Sequence, residues 1–387
     1  MLVLDNAVRR YEWGAVDGLA RLVGTAPTGG PEAELWVGDH PVAPSTVVGG
    51  ATLDRAVVAD PVGLLGAAAV DRHGARLPFL LKVLAIGAPL SIQLHPDGAQ
   101  AAAGFAREEA AGVALDDPTR TYRDPHAKPE ILVALRPTWA LAGFRSGDDA
   151  ADRLAEAGGA AADLAGSVAG RPDARDAFVA LLRSDGDRRR ALAEVAEATT
   201  GSGDDDDPAT WVGRLAAAYP GDPTALAPLV LDLIRLEPGR AVFLPAGVPH
   251  AYLRGAGVEL MAASDNVVRG GLTPKHVDVD ELLALLAAPG AGVQRFAGEP
   301  DGPGLTRYAP PGVAIRLHHA VPPASGPCAL PDGEGPALVL ALGHPVTVTT
   351  GGTSVTAAPG RAVMIPAGER GGAIVDADAW VASADYR

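Results

Sequence analysis

Cysteine occurs only once in the 387 residues, at Cys328. A single cysteine excludes an internal disulfide and fits a reducing compartment, so we expect a cytoplasmic protein. The sequence also lacks a run of about eighteen consecutive apolar residues, which a membrane-spanning helix would need. Its N-terminus has no apolar segment after a basic start, so no signal peptide is expected. We therefore expect no membrane association.

Aromatic residues and positive charge are scarce as well. Aromatics make up 4% of the chain although apolar residues reach 48%, so the cores must be built mainly from Val and Leu. The formal net charge of −15 argues against nucleic acid or an anionic membrane surface as a partner. It does not exclude a small anionic ligand, because a local basic pocket can override the overall sign. A chain of this length is expected to form two or three domains.

Residue patterning divides the chain into four segments and predicts a mainly β fold with an α-helical insertion. Residues 1–145 carry short apolar runs separated by Gly and Pro, as in antiparallel β structure. Residues 146–228 repeat apolar side chains at helical spacing and form the predicted insertion. Residues 229–290 return to strand patterning and should complete the first β domain. Residues 291–387 should form a second β domain.

A ten-residue repeat links the two predicted β domains. Pro238–Gly247 reads PGRAVFLPAG and Pro359–Gly368 reads PGRAVMIPAG, with two conservative differences. Turn–strand–turn units of this kind are typical of the double-stranded β-helix, the cupin jelly roll, so two such barrels are predicted. The first copy leads to His250, whereas the same offset beyond the second copy reaches Gly371. Metal chemistry is therefore expected only in the first barrel.

Polar and aliphatic side chains alternate between residues 89 and 97. Ser91, Gln93 and His95 should therefore share one face of a half-buried strand. Successive side chains on that face lie about 6–7 Å apart, which suits two ligands of one metal ion. A strand that merely shows polar residues to solvent is equally compatible with this segment taken alone.

Four side chains form the candidate metal site. Gln93, His95 and His250 fit the inward faces of neighbouring barrel strands, and Glu130 adds a carboxylate at the entry to an apolar strand. Two imidazoles, one amide oxygen and one carboxylate are compatible with Zn²⁺. Because only one ligand is charged, the ion would keep positive charge and polarise a hydroxyl or carbonyl oxygen.

Several motifs, in this order, resemble those of type I mannose-6-phosphate isomerases, a family of aldose–ketose isomerases. The likeness extends over most of residues 5–280 and rests on the ordered set rather than on any one motif. The motifs are Trp13-Gly14, Ala33–Pro41, Ser91–Asp97, Lys128–Glu130, Pro245–Tyr252 and Ser264–Lys275.

The resemblance implies a cupin barrel interrupted by a helical domain and followed by a second, metal-free cupin. It implies one Zn²⁺ per chain, held by Gln93, His95, Glu130 and His250. The implied reaction interconverts mannose 6-phosphate and fructose 6-phosphate, moving a proton between C1 and C2 through an enediol. A small sugar phosphate is thus the expected partner. The sequence does not specify an oligomeric state, and a monomer is the working expectation.

The reaction needs an acid–base group and a phosphate anchor beside the metal. The titratable candidates near the metal motifs are Asp265, Lys128, Glu259 and Lys275, and the sequence does not decide which of them takes the proton. Arg269 is permanently charged and suits the enediolate or the phosphate. Further substrate contacts are expected from Ser91, Trp13, Glu34 and Tyr252.

Three features leave alternatives open. Relatives often carry a histidine directly before Lys-Pro-Glu, whereas this chain has Ala127 there and His126 one place earlier. Asp265 and Arg269, four residues apart, could form only a structural ion pair. The barrel could also serve a redox cupin with Fe²⁺ or Mn²⁺, or a sugar-phosphate sensor without catalysis.

Overall fold

The fold is mainly β, with helices concentrated in one stretch, as predicted. The computed structural model describes residues 1–310 and 312–384. Within those residues, none of the helices combines the length and apolar character that a membrane crossing requires.

The strands are short in most of the chain and long around the candidate site. They are β1 (Leu2–Asp5), β2 (Ala7–Arg9), β3 (Ala15–Val16), β4 (Pro31–Glu32), β5 (Glu34–Val37), β6 (Thr46–Val47), β7 (Phe79–Ile86), β8 (Gln93–Leu94), β9 (Glu130–Phe144), β10 (Leu231–Leu236), β11 (Arg240–Leu244), β12 (His250–Ala262), β13 (Val268–Arg269), β14 (Gln294–Ala297), β15 (Glu299–Pro300), β16 (Leu305–Tyr308), β17 (Ile315–Ala320), β18 (Cys328–Ala329), β19 (Ala337–Ala341), β20 (Val346–Thr350), β21 (Thr353–Ala357), β22 (Ala362–Ile365), β23 (Ile374–Val375) and β24 (Ala379–Ala384).

Among the described residues, five helices precede residue 146, six lie between residues 147 and 229, and one follows. They are α1 (Gly18–Val23), α2 (Leu53–Ala59), α3 (Pro61–Leu65), α4 (Ala67–His73), α5 (Gly98–Ala110), α6 (Gly147–Ala157), α7 (Gly159–Val168), α8 (Arg175–Leu182), α9 (Gly186–Ala198), α10 (Pro208–Ala218), a 3₁₀ helix (Pro223–Leu229) and α11 (Val279–Leu285).

A ten-stranded sheet carries the candidate site. Its central order is β14-β11-β9-β12-β7-β5-β2, and β8, β10 and β13 pair at its margins. The core strands are antiparallel; β12 pairs with β7 on one side and with β9 on the other. Both faces of these strands bury apolar side chains, so the sequence of β7 reads as a continuous apolar run with one lysine, Lys82. This register brings side chains from distant parts of the chain to one place.

The helical stretch from α6 to the 3₁₀ helix forms one apolar core with the loops around β8. Local capping explains where its helices begin: Asp207 accepts from Ala209 N and Pro208 occupies the first turn of α10, as the acidic run before it predicts. Helix α5 starts on a capping box between Asp97 and Gln100. Gly104 of α5 lies against the Tyr122 ring, where a Cβ would collide.

An eight-stranded sheet follows, in the order β15-β16-β17-β24-β19-β22-β1-β6. Its apolar interior is completed by a four-stranded sheet, β18-β23-β20-β21. The second copy of the repeat forms β22, as predicted. Strand β1, at the other end of the chain, pairs with it through Val3 opposite Val363. This long-range pairing was not predicted, because edge pairing leaves no local pattern.

The predicted strand over residues 89–97 is wrong in extent. Ile92 and Leu94 are fully buried as the alternation predicts, but only Gln93 and Leu94 form a regular strand. The other amides find irregular partners, since Leu90 N donates to Tyr252 O at 2.8 Å and Ile92 N donates to Gly271 O at 3.2 Å. The prolines at both ends cannot donate to a ladder, which keeps the regular pairing short.

Candidate metal centre and active site

Three buried potential metal ligands lie together on the ten-stranded sheet: Glu130 begins β9, His250 begins β12, and His95 directly follows β8. Nε2 of His95 is 3.4 Å from Glu130 Oε2, and Nε2 of His250 is 3.7 Å from the same oxygen. Each residue offers one ligand atom within 4.8 Å of the others, and all three are buried. Among the described residues, this is the one group of at least three His, Cys, Asp or Glu side chains with such geometry.

The backbone fixes both imidazoles with one nitrogen turned toward Glu130. Nδ1 of His95 lies 2.7 Å from Asn266 O, and Nδ1 of His250 lies 3.0 Å from Val248 O. These contacts place the ring proton on Nδ1 and leave Nε2 as an acceptor. Both Nε2 atoms are buried without a hydrogen-bond partner. Orphaned buried acceptors are costly, and a cation at this point would satisfy them.

Glycine and turn chemistry place His250 at the start of its strand. Gly247 has φ 72, and its amide donates to His95 O at 2.8 Å. A Cβ at this position would come within 2.6 Å of Ala287 N, so only glycine fits. The turn that ends the first repeat copy therefore ties the two histidine segments together.

The charges around the centre favour neutral imidazoles and an ionised carboxylate. Burial lowers the pKa of His250 to about 4, and burial likewise lowers the pKa of His95. Burial alone would raise the pKa of Glu130, but Lys128 and the two histidines hold it well below its ordinary value. Nζ of Lys128 is 3.0 Å from Glu130 Oε1. Neutral nitrogens and a carboxylate are the forms in which these groups bind a metal.

Gln93 lies beside this group, opposite His250 in the pairing of β8 with β12 and opposite Arg269 in the pairing of β8 with β13. It lines a cavity of about 410 Å³, the central cavity. Ten of the thirteen predicted site residues line it: Trp13, Glu34, Gln93, Lys128, Glu130, Tyr252, Glu259, Asp265, Arg269 and Lys275.

Comparison with known proteins shows the family of this chain. A sequence profile described as the type I phosphomannose isomerase catalytic domain matches residues 1–147. The mannose-6-phosphate isomerase of Escherichia coli K12 is 40% identical over 293 residues, covering 73% of this chain and 74% of that protein. Mannose-6-phosphate isomerase 2 of Arabidopsis thaliana is 32% identical over 401 residues, covering 93% and 87%. The chain belongs to the mannose-6-phosphate isomerase family.

A solved structure of the same family extends the likeness to the whole fold. It is the crystal structure of mannose 6-phosphate isomerase from Salmonella typhimurium bound to its substrate, fructose 6-phosphate, and to zinc. It superposes with a TM-score of 0.85 at 30% identity, covering 100% of this chain and 99% of that one.

A buried charge network beside the metal group was missed by the sequence reasoning. Nζ of Lys82 lies 3.3 Å from Glu259 Oε2 and 3.8 Å from Glu34 Oε1. Burial would lower the pKa of Lys82, but these two carboxylates raise it above its ordinary value. Burial raises the pKa of Glu259, and Lys82 opposes that rise. The available signal was a lone lysine within the apolar run of β7.

His40 is a second residue of the central cavity that the sequence did not assign. Its Nε2 lies 3.0 Å from both carboxylate oxygens of Asp265. Burial alone would raise the pKa of Asp265, but the hydrogen bond and charge of His40 leave it lowered. The described structure shows no ion pair between Asp265 and Arg269, so that structural alternative is wrong. His40 lies within the Ala33–Pro41 motif, and this position was the available signal.

Three predicted site residues do not line the central cavity. His95 and His250 contact Glu130, which lines the cavity, whereas Ser91 is half-buried and its expected substrate contact stays a prediction. Neither Ala127 nor His126 lines the cavity.

Proposed function

We propose that this chain is a zinc-dependent isomerase that interconverts mannose 6-phosphate and fructose 6-phosphate. The observation that carries the proposal is the pair of buried, orphaned Nε2 atoms aimed at the Glu130 carboxylate in the wall of a cavity that also contains cationic side chains. Relatives in this family act on a sugar phosphate and bind zinc, which supports the same assignment here.

Gln93, His95, Glu130 and His250 are proposed to hold the ion. Zinc, when bound, would act as a Lewis acid that polarises an oxygen of the open-chain sugar. Lys128 holds the free oxygen of the Glu130 carboxylate at 3.0 Å, so it orients that ligand. Imidazole nitrogen suits zinc, whereas harder cations prefer sites built only of oxygen ligands. The two neutral imidazoles with orphaned nitrogens therefore favour zinc.

The proton is proposed to move between C1 and C2 on Asp265. A base must take the proton from C2, leave an enediol, and return the proton to C1. Asp265 is ionised at neutral pH and its carboxylate faces the cavity, held by His40 at 3.0 Å. Glu259 is less suited to this role, because it is 3% exposed and paired with Lys82. It is proposed to set the charge of the pocket together with Glu34.

The phosphate is proposed to bind at Arg269 and Lys275. Burial and the charge of neighbouring Arg123 lower the pKa of Arg269, and burial and the charge of Arg269 lower that of Lys275. These three cations line one cavity and repel each other, so a dianionic phosphate would relieve the repulsion. Trp13 and Tyr252 are proposed to border the sugar.

The domain division is proposed to follow the sequence pattern. Residues 1–145 and 229–290 would build a cupin barrel with the metal, residues 146–228 a helical domain, and residues 291–387 a metal-free cupin. Two sheets with separate apolar interiors and one repeat copy in each support this division. The pairing of β1 with β22 would join the two barrels.

The test is a coupled assay of mannose 6-phosphate turnover on the purified chain, before and after chelation and after adding back Zn²⁺. We expect activity to disappear with the metal and to return with zinc. Full activity in metal-free protein would contradict the proposal. Binding of the sugar phosphate without hydrogen exchange at C2 would instead establish the sensor alternative.

A further inference from the structure

A fully buried asparagine lies within the Ser264–Lys275 motif without belonging to the proposed metal ligands, base or phosphate anchors. Asn266 is 0% exposed and lies between β12 and β13, one residue after the proposed base Asp265. Its side chain does not line the central cavity. Any effect of Asn266 on the reaction therefore passes through other residues.

The side-chain amide of Asn266 uses its full hydrogen-bonding capacity on one segment of backbone. Its Oδ1 accepts from Arg123 N at 2.8 Å and from Asp124 N at 3.3 Å. Its Nδ2 donates to Asp124 O at 2.7 Å and to His126 O at 2.9 Å. Backbone N–H groups only donate and backbone carbonyls only accept, so these partners fix which end of the amide is oxygen. An aspartate in this place would lack both donors.

A further hydrogen bond ties the same two segments together. Asp265 N donates to the side chain of Asp124, with 2.8 Å between N and Oδ2. Residues 264–266 and residues 123–126 are thus joined by hydrogen bonds between side chains and backbone, outside any strand pairing. We call this set of hydrogen bonds the asparagine clamp.

Toward the metal centre, Asn266 acts through its backbone carbonyl. That oxygen lies 2.7 Å from Nδ1 of His95, on the side of the ring opposite to the nitrogen that is aimed at Glu130. The clamp holds the side chain and therefore also the carbonyl of the same residue. The clamped residues 123–126 lead into β9, whose first residue is Glu130. Partners that orient a metal ligand in this way typically change metal affinity or activity by about 10–100-fold when they are lost.

Toward the base, the clamp acts through the neighbouring residue. The carboxylate of Asp265 faces the central cavity and lies 3.0 Å from His40, while the backbone amide of Asp265 is bound to Asp124. The buried side chain of Asn266 anchors the next position of the chain. Together these contacts fix the backbone that carries the base, and a displacement of about 1 Å can cost about 100-fold in rate.

We propose that Asn266 is a positioning residue of the isomerase, whose buried amide aligns the base Asp265 with the metal ligand His95. The inference rests on the proposed function, because it deepens the roles proposed there for these two residues. It adds that metal affinity and proton transfer both depend on one side chain outside the cavity. The phosphate anchor should stay in place, since Arg269 is held by the pairing of β13 with β8.

The test replaces Asn266 with aspartate, which has the same size but cannot donate to the carbonyls of Asp124 and His126. Zinc affinity is measured by competition with a chelator, starting from metal-free protein, and turnover is measured at saturating zinc. In Asn266→Asp we expect zinc affinity and kcat each to fall by about 10–100-fold, and KM for mannose 6-phosphate to stay within about threefold. A general loss of stability would not separate kcat from KM in this way.

The other asparagine of the chain, Asn6, provides the matched control. Its Nδ2 donates to Gly360 O at 2.8 Å, and its Oδ1 accepts from Ser45 Oγ at 2.9 Å. Asn6→Asp also removes an amide donor, but at a position that contacts none of the proposed site residues. It should lower the thermal stability and leave zinc affinity, kcat and KM within about a factor of two.

A second variant keeps the test decisive if Asn266→Asp does not fold. Asp124 is half-buried, and Asp124→Ala removes the acceptor of the Asp265 amide but keeps the backbone carbonyl that Asn266 binds. We expect kcat to fall about fivefold or more while zinc affinity stays within about a factor of two. Unchanged kcat in Asp124→Ala would contradict the proposal.

The remaining outcomes separate this inference from the proposed function. Unchanged zinc affinity or unchanged kcat in folded Asn266→Asp would overturn the positioning role, and so would equal losses in Asn6→Asp. A parent protein that does not turn over mannose 6-phosphate would instead contradict the proposed function. Weaker zinc binding in Asn266→Asp would then still support the alignment of His95, because that measurement does not depend on activity.

Discussion

The two copies of the ten-residue repeat fold alike but lead into different surroundings. The first forms β11 and ends in the turn that delivers His250 to the first position of β12, a strand of 13 residues. The second forms β22, and its turn continues through Arg370 and Gly371 to β23, which has two residues. The repeat thus sets the strand and its turn, while the residues after the turn decide which polar side chains enter the sheet that follows.

The two large sheets differ in the same way. In the ten-stranded sheet, two buried imidazoles and a carboxylate lie together, and both imidazoles have an orphaned acceptor nitrogen. In the eight-stranded sheet, the described residues contain no such group of potential metal ligands.

The largest effect is expected when a histidine is removed from the ten-stranded sheet and compared with a histidine removed from the eight-stranded sheet. His250→Ala should abolish bound zinc and lower turnover by roughly 10³-fold or more, because it deletes a proposed ligand and leaves the Glu130 charge unbalanced. His319→Ala is the control, since His319 stacks on Trp380 in the eight-stranded sheet and should change neither quantity. Metal content by mass spectrometry and the coupled assay measure both; retained zinc in His250→Ala would break the comparison.

The two large sheets should contribute to one common stability, because an apolar cluster joins them. Leu340 is fully buried in an apolar cluster that also contains Leu81 and Val83 of the first sheet. Leu340→Ala should lower the free energy of unfolding by about 2–5 kcal/mol in urea titrations, with little change in kcat of the folded fraction. Val321→Ala, at a position 48% exposed, should cost under about 0.5 kcal/mol. If the eight-stranded sheet unfolded independently of the ten-stranded sheet, the urea titration would show two unfolding transitions.

The proposed phosphate anchor predicts a variant whose substrate binding is weakened while its zinc content is kept. Arg269→Met should raise KM for mannose 6-phosphate by about 10–100-fold, because a charge-assisted contact to the phosphate is lost. Zinc content should stay unchanged. Arg136→Met, which removes an exposed arginine of β9, should leave KM within a factor of about two. An unchanged KM in Arg269→Met would move the anchor elsewhere.

His318 of the eight-stranded sheet should make the stability of the protein sensitive to acid. Burial lowers the pKa of His318 from 6.5 to about 4, so between these values the unfolded chain binds more protons than the folded chain. Stability contributed by keeping this ring neutral is present above pH 6.5 and is lost as pH falls toward 4. The unfolding free energy in phosphate-free buffer should drop from about pH 7 to about pH 5 by about 1–2 kcal/mol more in the parent than in His318→Gln. Equal drops would exclude His318 as the source.

The smallest effect is expected when a histidine is introduced at Gly371, where we expect no additional zinc to bind. Gly371 is the repeat counterpart of His250, and a side chain there would meet nothing within 4 Å. Gly371→His should therefore fold, yet the protein should still bind one zinc per chain, because one imidazole without the other ligands does not hold the ion. Two zinc ions per chain would show that the residues around Gly371 retain a latent metal site.

Much of the candidate site could be predicted because its residue types and order are specific. Three of the four proposed ligands lie together as expected, and the fourth lines the adjoining cavity. The helices between residues 147 and 229 also form where the pattern predicts them. The strand over residues 89–97 was overestimated, because alternation reports burial and not which partner accepts each amide.

Local period, turn chemistry and ligand type were enough to predict the mainly β class, the helical stretch, the repeat and the three side chains that lie together at the candidate metal centre. Only the tertiary structure decided that His40 meets Asp265 across 225 positions of chain, and that Lys82 sits between two carboxylates. It also decided that the N-terminal strand closes the C-terminal sheet. Such contacts arise from chain closure and sheet register, which no local pattern encodes.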